Sequence, residues 1–246
     1  MMKKYTFALI IVIILLFIWN RLPLLVGDIT KQTIYLSVLN CFHIKDKGAD
    51  ARIMLIDDDS GDGIFRIKEI CDKLGCPATF AVVPAWLDSA KCDSLRKWQS
   101  EGYGIAIHGY DHGRWKDFSY KEVIKDIKEC LEYLKGNRFS IDRIRLVVTP
   151  GSNNTWAIRK AVNDMGFKMV TGANIVNPDT TVFQWGRMFV KKDTDLKTVR
   201  HILEKAKDEK GFVVLGTHSS LEDEFSAEKT EAILKMSIDM DFSFID

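Results

Sequence analysis

From residue 51 onward, short apolar runs alternate with longer stretches in which apolar residues recur every three or four positions. The runs predict strands at 52–56, 78–83, 104–107, 144–148, 168–171, 188–190, 212–215 and 242–245. The longer stretches predict helices at 64–74, 89–99, 156–164, 196–208 and 228–236, several followed by a glycine (Gly75, Gly102, Gly166, Gly211) that suits a C-terminal cap. Ser119-Tyr-Lys-Glu122 has the spacing of a capping box and is followed by Ile124, Ile127, Leu131 and Leu134 on one helical face, ending near Gly136. Most of the strands are too apolar to have one face in water, which points to a parallel sheet covered by helices. The expected fold is therefore α/β, a distorted β/α barrel of about seven or eight strands. Such barrels place their chemistry where strands end and loops begin.

The first residues follow a different pattern. Lys3 and Lys4 precede a charge-free apolar run at 6–19, and apolar residues resume at 22–26. This predicts a membrane anchor or signal segment over 1–26; no small-x-small cleavage pattern follows, which favours an anchor that is retained. Two lysines kept in the cytoplasm would export the remainder, placing the domain in the cell envelope with the lipid bilayer as a partner. A polar stretch beginning at Gly27 makes 27–50 a linker and lead-in, and 51–246 the barrel domain.

With 35 Lys+Arg against 34 Asp+Glu, the chain has no general basic excess to favour a polyanion, so no nucleic-acid partner is expected. Five cysteines (Cys41, Cys71, Cys76, Cys92, Cys130) make no dense disulfide framework and no paired zinc-knuckle spacing. Candidate chemistry lies instead at two strand ends. His108-Gly-Tyr-Asp-His112 follows the run 104–107, and Asp57-Asp58-Asp59 follows 53–56. Two imidazoles and a carboxylate suit a divalent ion, and a further acid beside them can act on a water. Taken singly, each motif has a plainer reading: the histidines as a loop without metal, the acids as an exposed turn leading into Gly61-Asp62-Gly63. The same ligand set also suits a mononuclear iron(II) centre, but the β/α alternation lacks the antiparallel pattern of a jelly-roll oxygenase.

Taken in order, these stations resemble the polysaccharide deacetylase family, also called the chitooligosaccharide deacetylase homology domain, from about Ala51 to the C-terminus. The resembling residues are the aspartates at the end of the first strand, Ala78-Thr-Phe-Ala-Val-Val-Pro84, His108 and His112, Thr149-Pro150, and Val213-Val-Leu-Gly-Thr-His218. The resemblance implies a metal-dependent hydrolase that removes acetyl groups from an N- or O-acetylated polysaccharide or oligosaccharide, with zinc as the usual ion. It makes Asp57 the general base, Asp58, His108 and His112 the ligands, and His218 the general acid. A register one residue later, with Asp58 and Asp59 in those roles, stays open. The family's third motif carries an arginine that helps hold the catalytic aspartate; Val148 stands at that position here. Pro150 and Gly151 remain candidates for the oxyanion or substrate site through a backbone N–H. Trp115 and Tyr110, close to the second histidine, are candidates for stacking on a sugar ring, as are Trp86 and Trp185. The alternative implied function is a catalytically weak carbohydrate-binding domain of the same fold.

Overall fold

Seven parallel strands close into a barrel: β1 (Arg52–Asp58), β2 (Thr79–Val82), β3 (Gly104–Ile107), β4 (Leu146–Val148), β5 (Lys168–Gly172), β6 (Gln184–Phe189) and β7 (Phe212–Thr217). Each pairs with the next, and β7 returns to β1 with Asp57 opposite Thr217. The computed structural model describes residues 29–41, 43 and 50–246. A short eighth strand, β8 (Ser243–Phe244), pairs with Arg52 and Ile53, the first two residues of β1, while β2 pairs with Ile56 to Asp58 near its other end. One edge of β1 is thus shared by two strands. The barrel is closed by β2 toward the C-terminal ends of the strands and supplemented by β8 at the opposite end.

Side chains alternate across each strand, and here both faces are apolar. Met54, Ile56, Ala81, Ala106, Leu146, Val148, Val170, Trp185, Phe212 and Val214 fill the interior. Ile53, Leu55, Phe80, Ile105, Ile107, Val147, Met169, Val213 and Leu215 face outward into a second core beneath the helices. This double burial explains the near-continuous apolar runs of the sequence.

The surrounding helices are α2 (Ile64–Leu74), α3 (Ser89–Ser100), α4 (Tyr120–Gly136), α5 (Trp156–Asp164), α6 (Leu196–Glu209) and α7 (Ala227–Asp239). The capping box of α4 forms as the spacing predicts: Glu122 N–H donates to Ser119 Oγ, and Ser119 N–H donates to the Glu122 carboxylate at 2.7 Å. Strand β6 departs from expectation. It begins four residues before the anticipated Met188, because Gln184, Gly186 and Arg187 interrupt the apolar run yet still pair with β5.

Residues anticipated as lead-in also hold structure. A helix, α1 (Ile29–Asn40), lies against the β5 and β6 side of the barrel, with Tyr35 and Leu36 buried on Ala173 and Ile175. The anticipated anchor at 1–26 lies outside the described residues. Among the described residues no helix is long and apolar enough to cross a membrane.

Candidate metal-binding active site

The strand period decides which acids reach the barrel mouth. Met54 and Ile56 point inward, so Asp58 does too, whereas Asp57 shares the outward parity of Ile53 and Leu55. Asp57 is fully enclosed: Thr217 Oγ1 donates to it at 2.6 Å, Ser219 N–H at 3.0 Å and Ser219 Oγ at 2.5 Å. Burial pushes its carboxyl up to about 7, although the three donors from β7 and its loop pull the other way.

Asp58 faces a different set of partners. Arg187, fully buried on β6, makes a two-pronged bond to it, Nη1 to Oδ1 at 2.5 Å and Nη2 to Oδ2 at 2.6 Å. His108 Nε2 and His218 Nε2 each lie 3.5 Å from Asp58 Oδ2. Burial pushes this carboxyl up, but Arg187 and the two histidines outweigh it and hold it at about 2. Gly216 leaves room for the arrangement, since a Cβ there would crowd it at 3.1 Å from Arg187 Cδ and 3.2 Å from the Phe189 ring.

Beyond Asp58 the strand ends abruptly. Asp59 and Ser60 both have left-handed backbone, with φ of 77° and 54°. Ser60 Oγ is tied to Ala81 O of β2 and to the N–H of Val83 just beyond it. Asp59 Oδ1 lies 3.3 Å from His108 Nε2 and 3.6 Å from His112 Nε2. One donor atom from each of Asp59, His108 and His112 fits within 4.8 Å of the others, a cluster able to hold a metal ion.

Each histidine is fixed by its surroundings. His108 follows β3 directly, and its Nδ1 lies 2.7 Å from the carbonyl of Val148. A carbonyl only accepts, so Nδ1 carries the hydrogen and Nε2 faces the cluster. Asp59 Oδ1 and His108 Nε2 are buried without a hydrogen-bond partner, the condition a cation would relieve. Burial lowers the His108 pKa, but Asp58 and Asp59 more than offset it. His112 takes a left-handed backbone (φ 58°) and stacks on the half-exposed ring of Trp86, 5.4 Å between centroids. His218, at the end of β7, stacks on Phe189 at 5.1 Å, and its pKa is lowered chiefly by burial.

The sequence motifs therefore meet at one rim, with Asp58 and Asp59, rather than Asp57 and Asp58, turned toward the imidazoles. Gly151 lines a cavity of about 200 Å³ together with Asp58, Ser152, Arg187, Phe189, Lys191 and His218. Pro150 is buried at the start of that turn. Trp115 does not reach the mouth; a short 3-10 turn folds it fully into the core, so it has no face free for a sugar. Trp185 is likewise enclosed, edge-on to Phe212 inside the barrel. Tyr110 is half-buried against the core. Arg187 and Phe189 were not anticipated, and the alternation Trp185, Arg187, Phe189 was the available signal.

The model of the family described as polysaccharide deacetylase matches residues 45–170, about half of the chain. The chain belongs to the polysaccharide deacetylase family. No curated protein matches it in sequence. Solved structures similar to this family member include a family 4 acetyl xylan esterase from Clostridium thermocellum in complex with a cobalt ion. That structure is 16% identical with a TM-score of 0.59, covering 78% of this chain and 86% of its own. A family 4 carbohydrate esterase from Bacillus anthracis is also 16% identical, with a TM-score of 0.57 and coverage of 82% and 83%. A CE4 family pseudoenzyme from Bacillus anthracis is similar too, at 16% identity, a TM-score of 0.55 and coverage of 79% and 63%. At these identities the likeness establishes the fold. An active enzyme and a pseudoenzyme can share it, so activity rests on the residues of this rim.

Proposed function

We propose that this polysaccharide deacetylase family member is a metal-dependent hydrolase that removes acetyl groups from an N- or O-acetylated glycan. The observation that carries the proposal is the cluster of Asp59, His108 and His112 beside an arginine-held Asp58 and a neutral-leaning His218. In this reading Asp59, His108 and His112 hold the ion and Asp58 is the base, the register one residue later than the family resemblance first suggests. Zinc is the proposed ion. When bound, it supplies Lewis acidity that acidifies a water and polarises the acetyl carbonyl.

Asp58 accepts the proton of the attacking water as the new C–O bond forms on the acetyl carbon. Arg187 keeps that carboxylate ionised and fixed in direction, the duty for which the resemblance implied an arginine where Val148 stands. Only 3.5 Å separates Asp58 Oδ2 from His218 Nε2, so the proton can pass to the imidazole. His218 then gives it to the sugar nitrogen or oxygen as the C–N or C–O bond breaks, leaving acetate and the deacetylated glycan. Gly151, at the wall of the small cavity, is the candidate backbone donor to the developing oxyanion. Trp86, exposed at the rim, is the candidate platform for a sugar ring.

The proposal includes location. Residues 1–26 serve as a retained membrane anchor with the domain exported to the cell envelope, a reading supported by the apolar run behind Lys3 and Lys4. Protease accessibility of the domain in intact cells, with recovery in the membrane fraction, tests this.

Zinc titration and acetate release from acetylated glycans test the chemistry. The expected result is one zinc per chain and release that is abolished by chelator and restored by zinc. His108→Ala should lower the zinc stoichiometry; an unchanged value would remove the site. A second reading, a catalytically weak carbohydrate-binding domain, is supported by the pseudoenzyme among similar folds. Glycan binding without acetate release by the zinc-loaded chain would establish it.

A further inference from the structure

Helix α1 carries a feature that docking alone does not require. Of its buried side chains Tyr35 and Leu36 are apolar on most of their surface, but Gln32 is a fully buried amide aimed at the barrel rim. Burying an amide is unfavourable unless its donors and acceptor are met, and here they are met by the loops around the mouth. Gln32 Nε2 donates to the carbonyl of Ser152 at 2.7 Å. Gln32 Oε1 accepts from the hydroxyl of Thr171 and, at 3.5 Å, from Asn154 Nδ2. Thr171 Oγ1 also lies 3.1 Å from Ser152 O, so its one hydroxyl hydrogen is shared between two acceptors, and Gly172 N–H donates to Ser152 Oγ at 3.0 Å. Nearby, Asn174 N–H donates to Thr33 Oγ1 at 2.9 Å, so α1 holds the loops after both β4 and β5.

The turn that receives these bonds is strained and sits at the candidate active site. Gly151 and Ser152 are consecutive left-handed residues, with φ of 58° and 54°, and such a conformation at a serine persists only when its surroundings enforce it. The same two residues wall the cavity shared with Asp58, Arg187 and His218. At about 200 Å³ that space suits a few heavy atoms, not a whole sugar ring with its neighbours. We infer that Gln32 is a positioning residue: through Ser152 it fixes the wall of the pocket that receives the acetyl group, making α1 part of the catalytic unit and not a tether. The acetyl assignment rests on the deacetylase reading; the coupling of Gln32 to the turn does not.

The test uses the full chain with zinc present and compares Gln32→Leu, which keeps volume but removes the bonds to Ser152, Thr171 and Asn154, with Thr171→Val, which leaves every residue of α1 unchanged but removes the hydroxyl between Gln32 Oε1 and Ser152 O. Hydrogen exchange in peptides spanning 149–155 should quicken about tenfold or more in both variants, with peptides of β1 and β3 unchanged. In the same samples kcat for acetate release should fall about tenfold while zinc stoichiometry and KM move less than twofold. Unchanged exchange, or faster exchange with kcat within twofold of the parent, overturns the inference. Failure of the parent chain itself to release acetate would refute the deacetylase reading alone, and the exchange measurement would still decide whether Gln32 holds the turn.

Discussion

On the helix side of β1, Asp57 meets two hydroxyls and an amide N–H from β7 and its loop; on the barrel side, Asp58 meets a guanidinium and two imidazoles. Both carboxyls are buried to nearly the same degree, yet burial dominates one and charge dominates the other, leaving them at about 7 and about 2. The difference teaches that desolvation alone does not mark a reactive acid. Neutral donors hold a carboxyl in place as part of the fold. Fixed positive charge keeps it ionised and directed at the mouth, the condition the proposed base must meet.

That contrast is open to direct attack. The largest effect belongs to Asp58→Asn, which should lower kcat for acetate release by about 10²–10⁴, the usual range for a positioned base, with zinc still bound. Asp57→Asn should stay within about tenfold of the parent, judged on the folded fraction by circular dichroism; a reversal of the two results would restore the earlier register. Next comes Arg187→Met, which leaves Asp58 buried without its partner and should cost about 3–5 kcal/mol in denaturant unfolding. A loss under 1 kcal/mol would mean that the guanidinium is not what holds Asp58.

A pH comparison sharpens the other side. Because the Asp57 carboxyl rises from 3.8 to about 7 on folding, its contribution to stability is full below about pH 4 and is lost as pH rises through about 7. The parent should therefore lose on the order of a few kcal/mol across that window relative to Asp57→Asn, measured in chelator by urea unfolding at each pH. Parallel curves would show that the three donors keep Asp57 ionised after all. The smallest effect is Trp86→Ala. Removing the ring stacked on His112 should weaken zinc binding by roughly three- to tenfold, in keeping with about 0.5–1.5 kcal/mol for such a contact. Unchanged zinc affinity would confine Trp86 to the substrate side.

Much of this was legible in the chain itself. The β/α alternation foretold the barrel, and the order of aspartates, paired histidines and His218 foretold which strand ends converge. The register of the acids was not legible, because β1 is apolar on both faces and offers no alternation to count from. Arg187 stayed hidden for a related reason: Gly186 and Arg187 break the apolar run of β6, so a strand sought by hydrophobicity starts too late. Trp115 misled through nearness in sequence to His112, since a three-residue turn is enough to drop its ring into the core. Gln32 gave no signal at all, because its partners lie about 120 and 139 residues away and only the closed barrel brings them near.

The seam between β7 and β1 joins Asp57 to Thr217 across 160 residues, and β8 is added on the opposite edge of β1. During synthesis from the N-terminus, the acids of the first strand thus emerge well before the arginine and histidine that will confront them. The histidine pair His108 and His112 can be in place early, but the charge-balancing half of the rim arrives only with β6 and the loop after β7, which carry Arg187 and His218. Ring closure of this kind makes assembly of the rim wait for the pairing of β6 and β7 with the strands already made.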